Sequence, residues 1–306
     1  RGLEGLAQFR ADPADSTPLK HARAHVHQAA GAIQMVGLDA VVAYTDELER
    51  QLARLLELSG PAAVAGCDVV DRACRKLKIF LDELVKGVAP VPLKLFPEYE
   101  AMQLARGAKA ASPTELFYPD LTLRPPKIAP REPIGVSKLP SYLVKQRRTY
   151  QRGLLTWLRG DAEGARTMRE AVAGIEDATT QGSLRSFWWS VGALLEAING
   201  NGLDPGFGVK QLAARIDLQI RRVVEGSAKA ADRLRREVLY YVAISAPVGP
   251  QVQAVQRTFQ LAGLIPTAEA LNADLVRIQP LLREAREQLA QAKDAWLKFA
   301  SGRAEN

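Results

Sequence analysis

Apolar residues recur at helical spacing along most of this chain. Val26, Ala30, Ile33 and Gly37 follow one another at intervals of four, three and four, which sets them on one face of a helix. Gly37 suits the left-handed residue that closes such a helix. Asp39 is then expected to cap a second helix, Asp39–Leu58, with Val42, Leu48, Leu52 and Leu55 facing back at the first. A further helix is predicted over Pro61–Lys86. Beyond residue 140 the same periodicity predicts Ser141–Arg159, Asp161–Thr179, Ser183–Asn199, Pro205–Glu225 and Ser227–Ser245. Short Gly- or Asp-containing junctions separate these, which suits antiparallel neighbours. A final series runs Leu271, Leu275, Ile278, Leu282, Ala285, Leu289, Ala292, Trp296 and Phe299, a heptad seam with Pro280 as its expected kink. That seam fits packing within the chain, with dimerisation as the alternative.

The stretch between Val88 and Pro140 breaks the pattern. It holds Pro90, Pro92, Pro97, Pro113, Pro119, Pro125, Pro126, Pro130 and Pro133, and repeated proline forbids long helix and favours extended backbone. Only Pro97–Arg106 reads as helical. Yet Leu93, Leu95, Phe96, Leu116, Phe117, Tyr118 and Leu121 are far more apolar than a free tether needs. The segment is therefore expected to be an ordered strap. The expected architecture is all-α: a helical bundle over 1–88, a proline-rich linker over 89–140 and a second helical domain over 141–306.

Composition narrows the function. Good helix formers dominate, aromatics are 6%, and 306 residues suit about two domains. No run of about 18 apolar residues appears, so no transmembrane insertion is expected. The chain opens at Arg1 inside a predicted helix bearing Leu3, Leu6 and Phe9, so it is expected to be a piece of a longer protein. Cys67 and Cys74, seven apart on one helix, lie about 10 Å apart along its axis, too far for a disulfide with each other. The net charge of +7 comes from basic clusters interleaved with acids. No nucleic-acid motif accompanies them, so solvated faces or docking of an acidic protein are expected rather than nucleic acid. His21 and His25 have the i, i+4 spacing of a zinc pair, but no further ligands complete a site. No metal or other cofactor is expected, and no nucleotide-binding loop or catalytic triad is visible.

What remains is Ala24–Leu38, which holds His25 and His27, two of the three histidines. His27 lies beside the apolar face, and Gly31 follows one turn later on its side. A mid-helix glycine costs about 0.5–1 kcal/mol relative to alanine, and a bare backbone there would let another protein reach the imidazole.

This pattern resembles the histidine phosphotransfer domain of two-component signalling. His27 matches the phosphoacceptor, Gly31 the following glycine, Gly37-Leu38 the turn, and Leu48-Glu49 the pair on the next helix. Ala30 stands where that family carries a lysine. The wording around Gln28, Gln34 and Gly37-Leu38, together with the linker and the run Ser186–Glu196, resembles the N-terminal region of the chemosensory histidine kinase of type IV pilus systems, to which the pilus scaffold FimL is related. An internal repeat supports this: aligning Gly192 with Gly31 places Trp188 opposite His27, and Gly202-Leu203-Asp204 echoes Gly37-Leu38-Asp39 four residues further along. Trp cannot carry a phosphoryl group, so the second copy reads as a degenerate phosphotransfer-like bundle.

The resemblance implies a cytoplasmic signalling or scaffold region of a chemotaxis-type kinase controlling type IV pili and twitching motility. Its implied partners are receiver domains, the kinase domain of the parent protein and pilus-pole scaffold proteins. The alternative is an active phosphorelay module acting through His27. Independent catalytic turnover is not expected of either.

Overall fold

The computed structural model describes residues 2–58, 60–108, 111–126, 134–135 and 137–267. Among the described residues the chain is all-helical, with no strand. Arg1–Ile265 form one compact unit. The predicted heptad seam over 271–299 lies outside the described residues.

Four helices open the chain: α1 (Gly2–Ala11), α2 (Thr17–Met35), α3 (Asp39–Leu55) and α4 (Gly60–Val85). Each buries one stripe. Leu19, Ala22, Val26 and Ile33 of α2 meet Val41, Tyr44, Leu48 and Leu52 of α3, and Cys67, Val70, Ala73, Leu77 and Phe80 of α4 close the core. α2 and α3 form an antiparallel hairpin. Its turn needs Gly37 at φ +77°, with the Gly37 and Leu38 amides donating to the carbonyls of Gln34 and Ile33. Asp39 is not the cap: Leu38 holds that position, and Asp39 is the first helical residue. There its carboxylate still faces the positive end of the helix dipole. Cys67 and Cys74 are both free thiols.

The proline-rich stretch is more structured than one short helix. A 3₁₀ turn (Pro92–Leu95) leads into α5 (Phe96–Ala105), and a second 3₁₀ turn (Pro113–Glu115) follows. Leu93, Leu95, Tyr99, Met102, Leu116 and Phe117 are buried. Glu47, fully buried on α3, fixes α5 by accepting a bidentate pair from Arg106 at 2.9 and 3.0 Å, and Arg50 also donates to it at 2.8 Å. Residues 115–123 then touch elements on both sides. Tyr99 donates to Glu115 at 2.9 Å, the Phe117 ring meets Tyr240, Arg236 lies over the Tyr118 ring, and Arg235 donates to the Leu121 carbonyl at 2.8 Å.

The second half contains α6 (Leu139–Leu158), α7 (Glu163–Ala178), α8 (Gly182–Asn199), α9 (Phe207–Val224), α10 (Asp232–Ile244) and α11 (Pro250–Thr258). α10 begins later than the periodicity predicts. Gly226 at φ +94° ends α9, and Gln219 ties the intervening loop down by donating to the Lys229 carbonyl. α11 was not expected from the sequence. α8 is buried on every side from Ser186 to Ile198, which makes it a central helix. It packs against α7, α10 and α11, while α9 packs against α6 and α10. The internal repeat sets α8 against α2, and the two helices are buried differently. α2 is a surface helix with one buried stripe, whereas α8 needs partners all round.

Candidate functional site

α2 divides its surface by position. Val26, Ala30 and Ile33 point into the core, and Arg23, His27 and Gly31 occupy one exposed stripe at successive turns. The His27 side chain is 79% exposed, and its Nδ1 lies 2.9 Å from Oε1 of Glu49 on α3. An ionised carboxylate only accepts, so Nδ1 carries the proton and donates. In the neutral ring the Nε2 lone pair then faces solvent. Glu49 fixes both tautomer and ring direction from an adjacent helix.

Gly31 meets nothing. A Cβ built there has no atom within 4 Å, and its φ is not in the left-handed region. Neither internal packing nor backbone conformation demands glycine at this position. Gln28 and Gln34 are exposed on α2, while Ala30 is buried at 8% and turned toward the core. Its direction explains how this position takes alanine: a lysine there would have to climb out from the helix interface.

The structure also adds two residues to the sequence-derived set. Glu49 was visible as half of the Leu48-Glu49 pair, but its bond to His27 spans 22 residues and needs the hairpin to be seen. Arg23 is exposed one turn before His27, with no hydrogen bond or ion pair among the described residues. The i, i+4 spacing alone could have pointed to it. It places a cation one turn before His27 on the same face of α2, where Ala30 supplies none.

Trp188 occupies the opposite environment. It is fully buried against Phe187, with ring centroids 4.7 Å apart, and its indole nitrogen has no hydrogen-bond partner. It is a packing residue, and no surface equivalent to the His27 stripe exists around it. Among the described residues no group of three metal-ligating side chains occurs, at His21 and His25 or elsewhere.

Residues 136–272 match the family model of the FimL scaffold protein second domain. The scaffold protein FimL of Pseudomonas aeruginosa is 28% identical over 309 aligned positions, which cover 95% of this chain and 54% of FimL. The chain thus spans about half the length of that curated relative. No solved structure matches it. Coverage of 95% of this chain means that the similarity to FimL is not confined to the residues that the family model matches. No helix among the described residues is long and apolar enough to cross a membrane.

Proposed function

We propose that this chain is a scaffold region of type IV pilus signalling that docks receiver domains and pilus-pole proteins in the cytoplasm, with the exposed Arg23–His27–Gly31 stripe as a docking face. The observation that carries this reading is the similarity to a scaffold protein along 95% of the chain. The open space over Gly31 supports it: the stripe spends helix stability on a flat backbone that nothing inside the protein uses. The parent would be a chemotaxis-type histidine kinase, with the kinase domain outside this chain.

The His27–Glu49 pair favours a second reading, active phosphotransfer. Nε2 would attack the phosphorus of an aspartyl phosphate on a docked receiver. The N–P bond forms as the P–O bond to the aspartate breaks, the carboxylate leaves, and Glu49 neutralises the Nδ1–H of the cationic phosphoimidazole. Arg23 would face the phosphoryl oxygens, where charge is stabilised during transfer.

One experiment separates the two. The chain is incubated with the cognate kinase domain, ATP and receiver domains. The scaffold reading expects a bound receiver and no label on the chain. Acid-labile, base-stable label that disappears in His27→Gln and persists in His21→Gln and His25→Gln would establish transfer. Neither binding nor label would defeat both readings.

A further inference from the structure

The second half of the molecule carries a face far from charge balance. α6 contains Lys145, Arg147, Arg148 and Arg152 and no Asp or Glu. α9 contains Lys210, Arg215, Arg221 and Arg222 against one acid, Asp217. The two helices lie side by side and antiparallel: Arg147 donates to both carboxylate oxygens of Asp217, at 3.2 and 3.1 Å, and the Tyr150 hydroxyl donates to the Ala213 carbonyl at 2.9 Å. Gln151 donates to the same carboxylate at 3.2 Å, so Asp217 is fully engaged. Arg215 pairs with Glu237, and Arg221 with Glu225.

Lys145, Arg148 and Arg152 are left exposed on α6, and Lys210 and Arg222 on α9, without an ion-pair partner among the described residues. The three on α6 recur at spacings of three and four and form one stripe. The next member of that stripe is Leu155, 57% exposed. The antiparallel register brings Phe207, 77% exposed, to the end of α6 that carries Leu155. An exposed large aromatic on the same pair of helices as unpaired arginines gives the residue mix of an interface centre rather than of ordinary surface.

We propose that the α6–α9 face is a docking surface for an acidic amphipathic helix of a partner protein. Lys145 to Leu155 is ten residues, about 15 Å or nearly three helical turns, so a docked helix can present a carboxylate at each turn to this stripe. Its apolar side chains would cover Leu155 and Phe207. Arginine predominates over lysine among the free cations of α6, and its planar fork matches a carboxylate bidentately. The apolar positions are few and shared between two helices, which gives a protein side chain something to cover but gives a bilayer little to insert. The net charge of +7 steers an acidic partner toward the molecule as a whole.

The test uses the full chain and a fluorescein-labelled 21-residue peptide of helical design, with a leucine stripe flanked by glutamates, read by fluorescence anisotropy. Binding is expected to weaken at least tenfold in Arg148→Glu/Arg152→Glu and several-fold in Phe207→Ser. It should stay within twofold of wild type in Arg72→Glu/Lys86→Glu, which reverses two exposed cations elsewhere. Circular dichroism checks folding, and Arg148→Gln/Arg152→Gln, with a smaller loss in the same direction, covers the case where charge reversal unfolds the chain. A scrambled peptide of equal charge binding equally well would overturn the proposal, because the face would then read charge without shape. No peptide binding would overturn it too. So would binding to phosphatidylglycerol vesicles, lost in the same variants, in place of peptide: the surface would then serve a membrane.

Discussion

Replacing Gly31 with alanine should make the protein more stable and a poorer partner. Gly31 lies in the middle of α2, outside the left-handed region, and an added Cβ meets no atom within 4 Å. The folded state therefore has no strain or clash to set against the entropy that glycine gives the unfolded chain. The gain should be about 0.5–1 kcal/mol, the usual difference between the two residues inside a helix. For a unit of this size, that corresponds to a rise of about 1–3 °C in Tm. Urea denaturation followed by circular dichroism would measure the stability, and titration calorimetry against the cognate receiver domain would measure docking. The expected signature is two effects of opposite sign: midpoint up, affinity down. A fall in stability would show that glycine serves internal packing. A rise in stability with unchanged affinity would show that no partner approaches the backbone at Gly31.

Arg106→Ala leaves Glu47 fully buried with only Arg50 to compensate it, so chemical denaturation should show a loss of about 3 kcal/mol, against a much smaller loss for Glu47→Gln/Arg106→Ala. Burial pushes the Cys74 thiol from its usual value near 9 up to about 12. The folded state then holds that proton where the unfolded chain releases it, so stability falls as pH rises through this window, and Cys74→Ala should flatten that part of the curve. Trp188→His should accept no phosphoryl label from any donor that labels His27, because the site is enclosed; label at residue 188 would revive the second module.

The His27 hairpin was legible because every feature of it is local. The four-three spacing of Val26, Ala30 and Ile33 marks the buried stripe, Gly31 falls one turn past His27, and Gly37 takes the left-handed turn that lets α3 fold back. Leu93, Leu116 and Phe117 stood out by their apolarity, and the structure buries all three. Partners distant in sequence were not legible. Glu49 reaches His27 across 22 residues, and Arg235 reaches Leu121 across 114. The repeat compares residue types and ignores how many faces each helix must bury, so it did not announce α8 as a central helix. The signal was present: from Ser186 to Ile198 only Ser186, Ser190 and Glu196 are polar, too few for a surface helix. Ser227–Ala231 reads as helix because its three alanines and Lys229 are helix formers, but Gly226 reverses the chain just before it. The short, glutamine-rich α11 carries too little periodicity to stand out.

The central claim is that the stripe around His27 is a docking face. Isothermal titration of the cognate receiver domain into the full chain and into two variants tests it directly. His27→Gln should retain affinity within about threefold, since the ring is only part of the contact, whereas Gly31→Arg should abolish measurable binding by filling the space over the helix. Equal affinity in wild type and Gly31→Arg, with the variant folded, would contradict the account.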